Sequence, residues 1–204
     1  MGRDAGFVAA NAALASGLVD LCLIPEVDFT LADVLEYVSH TVGRKGHMVI
    51  VVAEGAGQTL VESQGADATG HKKHGDIGTF LRDQVNAHLK PSGGRSFYID
   101  PSYIIRSCPV EPNDHIYCTR LATDATHVAM RGFTGVCVGA VHNACVLLPM
   151  KMIAGGKKTL NSNGSCWTTC VSMCGMPKHL AFGRPAAEPE VKAFGPVSGK
   201  PRVV

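Results

Sequence analysis

The run His47-Met48-Val49-Ile50-Val51-Val52-Ala53 constrains the fold more than any other feature. It is short, almost continuously apolar and rich in β-branched side chains. Such a run reads as a strand buried on both faces, as occurs in parallel sheets covered by helices. A glycine-rich turn, Ala53-Glu54-Gly55-Ala56-Gly57-Gln58, follows it directly. Upstream, residues 18–24 read as another short buried strand, stopped by Pro25. Between the two, Thr30 is placed to cap a helix with Asp33 in its first turn. Leu31, Val34, Leu35 and Val38 share one face of that helix, which is expected to end near Gly43. Strand, helix, strand and turn in this order predict an α/β domain: a mostly parallel sheet with helices on both faces.

The pattern continues. Residues 6–16 are alanine-rich and suit a packed helix. Residues 62–76 form a polar, glycine-containing loop, and residues 77–89 read as a helix. Phe97-Tyr98-Ile99 is expected as a short strand before Pro101. Residues 114–130 read as a long helix closed by Gly132, and residues 134–141 as an apolar strand followed by Cys145-Val146-Leu147-Leu148. Pro177, Pro185, Pro189, Pro196 and Pro201 are five of the eleven prolines in the chain. The expected organisation is therefore one domain over residues 1–176 and an irregular tail over 177–204.

Bulk properties remove several classes of function. A hydrophobic content of 46% against 18% charged residues supports a sizeable core and argues against global disorder. The net charge of +2, with scattered basic residues, gives no reason to invoke nucleic acid. No apolar run approaches the roughly 20 residues that cross a bilayer, and no targeting segment is read at the N-terminus. The eight cysteines include no Cys-x-x-Cys pair, and a chain with this core does not depend on disulfides. A reduced, cytoplasmic setting is expected.

Ligands of parallel α/β sheets bind beyond the carboxyl ends of the strands, and three clusters occupy such places. Gly2-Arg3 stands at a helix start, where unpaired N–H groups, a glycine and a guanidinium suit an anion. The other reading is a solvated arginine. Glu54 stands directly after the buried strand, where a carboxylate can accept hydrogen bonds from sugar hydroxyls; alternatively, Gly55 and Gly57 serve only a tight turn and Glu54 faces solvent. In Tyr98-Ile99-Asp100-Pro101-Ser102-Tyr103-Ile104-Ile105-Arg106 the Asp-Pro-Ser sets a turn, and Tyr103 and Arg106 follow one helical turn apart. A guanidinium pairs with phosphate through two parallel charge-assisted bonds. The alternative is a structural tyrosine beside a surface ion pair.

Other features take plainer readings. Cys166, Cys170 and Cys174 recur every four residues, so they share one helix face and read as packing rather than as a metal cluster. His71-Lys72-Lys73-His74 lies in a polar stretch and reads as solvated. Trp167 is expected as a core anchor.

Together these clusters resemble the phosphofructokinase family, specifically its C-terminal half. Met1-Gly2-Arg3-Asp4-Ala5-Gly6 is similar to the family's Met-Gly-Arg segment, which binds fructose 6-phosphate. Ile24-Pro25-Glu26-Val27-Asp28-Phe29 resembles its Pro-Glu turn, and Ala53-Glu54-Gly55-Ala56-Gly57-Gln58 the segment whose glutamate contacts the sugar. The run from Tyr98 to Arg106 resembles the substrate segment of the branch holding plant and trypanosomatid ATP-dependent enzymes and related pyrophosphate-dependent ones. Asp67-Ala68-Thr69-Gly70, Asp76-Ile77-Gly78 and residues 161–177 follow that branch as well.

The resemblance implies that Met1, Gly2, Arg3, Glu54, Tyr103 and Arg106 line a sugar-phosphate pocket. It implies transfer of a phosphoryl group to the 1-hydroxyl of fructose 6-phosphate in glycolysis, ATP as donor with pyrophosphate open, Mg²⁺ as cofactor and a homo-oligomer. The family's glycine-rich donor motif and its Thr-Ile-Asp motif, which holds the base, do not occur in this chain. The expectation is a phosphofructokinase-like fold with its N-terminal half missing, and a chain inactive alone. The alternative is a non-catalytic truncated homologue that binds a sugar phosphate or regulates a full-length subunit. Many members carry a basic residue at the position of Phe97; Arg95, on the same side in a strand, is the expected substitute.

Overall fold

The computed structural model describes residues 4–61, 65, 73–155 and 158–183, with the backbone alone at Ser102 and Arg106. Helix α1 (Phe7–Ser16) leads into strand β1 (Leu21–Leu23). Helix α2 (Leu31–Lys45) then crosses to strand β2 (Ile50–Val52). Two parallel strands need such a crossover, and they pair in register Leu21↔Ile50, Cys22↔Val51 and Leu23↔Val52. All three β1 residues are buried, so that strand is covered on both faces. The β2 residues, expected to be buried on both faces, are only half-buried. Among the described residues each strand has the other as its sole strand neighbour, but α1 and α7 both pack on β1, which leaves β2 less covered.

Capping sets α2. The Thr30 hydroxyl accepts from the Asp33 N–H at 3.2 Å and donates to the Asp33 carboxylate at 2.7 Å. The helix runs past Gly43 and stops at Lys45, where Gly46 adopts the left-handed conformation that ends helices. Gly43 has room around it and an interior helix tolerates it at modest cost, so the glycine that ends the helix is the one that turns left-handed.

Asp20 locks the two strands from below. Its carboxylate, 5% exposed, pairs with Lys45 and accepts the Val49 N–H at 2.9 Å. Burial alone would raise its pKa; the Lys45 ammonium and the Val49 N–H outweigh that and hold it below the usual carboxylate range. A depressed folded-state pKa gives stability that is present above the unfolded value of about 3.9 and is lost as pH falls through the folded value. Urea unfolding from pH 7 downwards should therefore show a loss of stability below about pH 4, part of which disappears in Asp20→Asn. That variant keeps a carbonyl oxygen for the Val49 N–H and loses the ion pair with the part-exposed Lys45, so it should be weaker at pH 7 by about 1 kcal/mol. An unchanged acid limb would exclude Asp20 as a contributor.

Helix α3 occupies Ile77–Leu89, and Asp76 caps it by accepting the Thr79 N–H at 2.9 Å. These bounds coincide with the expected ones. A 3-10 turn follows at Lys90–Ser92. The short strand expected at residues 97–99 does not form. Instead Ser96 is captured by α3: its N–H donates to the Asn86 side chain at 2.7 Å and its hydroxyl to the Arg82 carbonyl at 3.0 Å. Helix α4 (Ser102–Ser107) follows, then the long helix α5 (Pro112–Met130). Strands β3 (Val136–Val141) and β4 (Ala144–Pro149) form an antiparallel hairpin. His142 and Asn143 turn it, with φ of 49° and 64°, as a two-residue hairpin turn requires. Helix α6 (Met150–Ala154) closes this part.

Helices α7 (Ser165–Cys174) and α8 (Lys178–Phe182) return to the core. Helix α1 packs on α7, and both pack on β1. Trp167 is fully buried and donates its indole N–H to the Ala181 carbonyl at 2.7 Å. Of the cysteine stripe, Cys170 and Cys174 are buried against Cys22 of β1. Burial pushes the Cys174 thiol up to about 12 and that of Cys22 higher still, so these sulfurs pack as small hydrophobes. Where an irregular tail was expected from Pro177 onward, α8 forms and buries Leu180 and Ala181, because Trp167 supplies both an apolar wall and a donor. The rest of that tail, residues 184–204, lies outside the described residues. No buried core residue comes from residues 90–159 among those described. No described helix is long and apolar enough to cross a membrane.

Candidate functional site

The site grows from the carboxyl end of β2. The Ala53 N–H donates to the Leu23 carbonyl at 2.9 Å, the last bond of the strand pair, and the chain then turns through residues 54–59. This puts the exposed Glu54 carboxylate at the strand's end, as the sequence implies. Gly55, Gly57, Gln58 and Thr59 of the same turn, with Pro25 and Asp28, line an open pocket of about 210 Å³.

Gln58 fixes this turn to the entry of α3. Its side-chain amide donates to the Glu54 carbonyl at 2.7 Å and to the Gly75 carbonyl at 3.2 Å, and accepts the Gly75 N–H at 2.9 Å. One residue earlier, the His74 Nε2 meets the Asp4 carboxylate at 2.8 Å. His74 is therefore not the solvated loop histidine that its polar neighbours suggest; its side chain is 10% exposed. Lys73 is exposed, and His71 and Lys72 lie outside the described residues.

The third segment arrives on the other side of the same helix start. The Tyr98 ring lies over Gly78, where an added Cβ would sit 2.2 Å from a ring carbon, so only glycine admits it. Burial pushes the Tyr98 phenol up, and the carboxylates of Asp76, Asp100 and Glu54 push it further. Tyr98 is thereby seated at the entry of α3, the element to which Gln58 ties the Glu54 turn. Tyr103 follows in α4 and is 78% exposed, and Arg106 lies in the same helix with its side chain outside what is described. Met1, Gly2 and Arg3 also lie outside the described residues. Arg95 and Phe97 are both exposed, and without a strand here the alternation argument for Arg95 has no support.

Glu26 makes a further tie. Both its oxygens accept the Gly6 N–H at 3.0 Å, and one accepts the Leu160 N–H at 2.7 Å. A Cβ on Gly6 would stand 2.6 Å from Ile24 and 2.8 Å from this carboxylate, so the start of α1 needs a residue without a side chain. Glu26, Gln58, His74 and Gly78 carry no candidate role in the sequence. The available signal was adjacency: Gln58 ends the Glu54 turn, and His74 and Gly78 flank the Asp76 cap.

The model of the family described as Phosphofructokinase matches residues 1–129. The chain belongs to the phosphofructokinase family. The ATP-dependent 6-phosphofructokinase of Trypanosoma brucei brucei is 41% identical over 173 residues, which is 82% of this chain and 36% of that protein. The chloroplastic ATP-dependent 6-phosphofructokinase 5 of Arabidopsis thaliana is 38% identical, over 88% of this chain and 35% of its own length. The ATP-dependent 6-phosphofructokinase of Amycolatopsis methanolica is 39% identical, over 95% of this chain and 44% of its own. The chain therefore spans well under half of these phosphofructokinases. A crystal structure of a pyrophosphate-dependent phosphofructokinase from Marinobacter aquaeolei shares the fold with a TM-score of 0.62 at 19% identity, covering 91% of this chain and 47% of that one. The α/β core with its parallel strands is thus part of a phosphofructokinase fold.

Proposed function

We propose that this chain supplies the acceptor-sugar site of a 6-phosphofructokinase, a transferase of glycolysis working in the cytoplasm. One observation carries the reading. The segments resembling the family's sugar-phosphate contacts, far apart in sequence, meet at the entry of α3, through Asp4 with His74, Gln58 with Gly75, and Tyr98 with Gly78. In this reading Glu54 accepts hydrogen bonds from the sugar hydroxyls. Arg3 and Arg106 hold the phosphate through charge-assisted bonds, with Tyr103 adding a hydroxyl and Met1 and Gly2 lining the pocket. The 1-hydroxyl of fructose 6-phosphate forms the new P–O bond and loses its proton to a base, while the donor's P–O bond breaks. No residue of this chain is assigned as that base or as a donor contact; those roles belong to the part of the relatives that it does not span.

ATP is the proposed donor, on the names of relatives at 38–41% identity. Mg²⁺ neutralises phosphate charge in such transfers. No Mg²⁺ ligand is proposed from this chain; among the described residues no group of three or more His, Cys, Asp or Glu is placed to hold a metal ion. Large exposed apolar side chains along residues 97–153, such as Phe97 and Met130 at 83% each, support contact with further protein. In this reading that is another copy of the chain in a homo-oligomer, or the remaining portion of a phosphofructokinase fold.

Calorimetric titration with fructose 6-phosphate tests the reading. Arg106→Ala should weaken binding by roughly 1.5–3 kcal/mol, the scale of a hydrogen bond to a charged group. Unchanged affinity would remove Arg106 from the site, and a folded wild-type chain that ignores the sugar phosphate would remove the function. The alternative reading is a non-catalytic homologue that binds sugar phosphate or regulates a full-length subunit. Binding without turnover of ATP, in the chain and its native assembly alike, would select it.

A further inference from the structure

We infer that Tyr98 is a positioning residue of the acceptor-sugar site: its ring, seated on Gly78 at the start of α3, sets where α4 and its Tyr103 stand relative to the Glu54 turn. The inference rests on the acceptor-site reading above, in which Tyr103 offers the phosphate a hydroxyl. The described side chains of α4 do not anchor it, because Tyr103, Ile104, Ile105 and Ser107 are all exposed. Its place follows from the segment that leads into it. Ser96 is gripped by α3 on three groups. Its N–H donates to the Asn86 side chain at 2.7 Å, its carbonyl accepts from the same side chain at 3.3 Å, and its hydroxyl donates to the Arg82 carbonyl at 3.0 Å. Two residues on, the Tyr98 ring lies so close over Gly78 that the three atoms nearest to a Cβ there would all be its own. Phe97 and Ile99, on either side, point away into solvent, so Tyr98 is the one of the three that bears on α3.

Only Ile99, Asp100 and Pro101 lie between Tyr98 and α4. This link is stiff. A proline fixes its own φ and confines the residue before it to extended backbone. The Pro101 carbonyl then accepts the first bond of α4, from the Ile105 N–H at 2.8 Å. A displacement of Tyr98 is therefore passed on to Tyr103 rather than absorbed between them. The Glu54 turn is tied to the same helix start, through Gln58 and Gly75. The opening of α3 is thus the common base for the carboxylate and for the tyrosine hydroxyl. A hydroxyl on a helix already placed binds its ligand without first ordering the backbone that carries it.

Two measurements on the full chain test this: calorimetric affinity for fructose 6-phosphate, and amide hydrogen exchange without ligand. Gly78→Ala puts a methyl where the ring sits, and alanine suits a helix better than glycine, so it removes the seat without weakening α3. Gly78→Ala and Tyr98→Ala should each raise Kd about tenfold, the scale of one hydrogen bond to a charged group. Both should speed exchange at Ile105 and Cys108 but not in β1 or β2. Tyr98→Phe keeps the ring and should restore both readings. Tyr103→Phe should also raise Kd, and should cost clearly less when Tyr98 is already alanine, since Tyr98 acts through Tyr103. His88→Ala removes an exposed histidine bonded to Ser39 and should change neither reading. Wild-type affinity in Tyr98→Ala or in Gly78→Ala overturns the inference and leaves the proposed function standing, as does full additivity of Tyr98→Ala with Tyr103→Phe. A Tyr98→Phe variant as weak as Tyr98→Ala overturns it too, because the Tyr98 hydroxyl would then touch the sugar phosphate itself. A wild type that does not bind fructose 6-phosphate overturns the proposed function, and this inference with it.

Discussion

Replacing Trp167 by alanine lowers the stability of this chain by about 3–5 kcal/mol, the range for deleting a large buried aromatic. The indole is fully buried, between the β1 core and α8. Its N–H is the donor that satisfies the Ala181 carbonyl in a buried setting. Alanine loses the apolar contact, opens a cavity and leaves that carbonyl unpaired. For a chain of this length each kcal/mol lowers the melting point by roughly 2–4 °C, so circular dichroism should show a fall of about 6–20 °C. Trp167→Phe keeps most of the ring volume and should recover the larger share. A loss below about 1 kcal/mol in the alanine variant would mean that α8 does not depend on this side chain. Trp167 is the single tryptophan in the sequence, so its fluorescence follows unfolding of the wild type directly.

The second large effect is expected at Glu26. Its carboxylate accepts two backbone N–H groups, those of Gly6 and Leu160, which come from opposite ends of the described chain. Glu26→Ala leaves both donors without their acceptor. Each such loss costs about 1–3 kcal/mol, so a total on the order of 3 kcal/mol is expected. Glu26→Gln keeps a carbonyl oxygen where Oε1 accepts both N–H groups and should lose distinctly less. Denaturant titration measures the stability, and hydrogen exchange should rise at Gly6 and Leu160 above all. An equal loss in the glutamine and alanine variants would show that charge, rather than acceptance of these two bonds, is what matters.

Local chemistry was legible in the sequence wherever a cap and an apolar period agreed. The helix expected over residues 77–89 is α3, Ile77–Leu89, and Thr30 with Asp33 marks the start of α2. The same rule failed where a distant partner competed. Phe97-Tyr98-Ile99 has strand composition, yet Asn86 takes the Ser96 backbone and Gly78 offers Tyr98 a seat, so no strand forms. α8 sits in proline-rich sequence, and only the indole of Trp167 makes a helix worthwhile there. The position of Glu54 at the end of β2 was legible because a strand's end is a local event. The ties that gather the site were not. Asp4 to His74 and Gln58 to Gly75 span 70 and 17 residues, and no periodicity encodes such distances. His74 in particular reads as solvated from its neighbours, because the carboxylate that draws it inward lies in another part of the chain.

The packing of α1 on α7 has a consequence for the order of events as the chain is made. Residues 7–16 are alanine-rich and find their lid in residues 165–174, which are among the last of the core to be synthesised. The β1–β2 pair can close around α2 early, since only the crossover helix separates its strands. Helix α1 can meet β1 early, but its larger contact, with α7, forms only once α7 has left the ribosome. At synthesis rates of about 5–20 residues per second, the α7-facing side of α1 waits uncovered for roughly ten seconds or more. Contacts of such long sequence separation form slowly in any case. Recombinant yield should therefore respond to chaperone supply and to temperature during expression more than the modest size of the domain suggests.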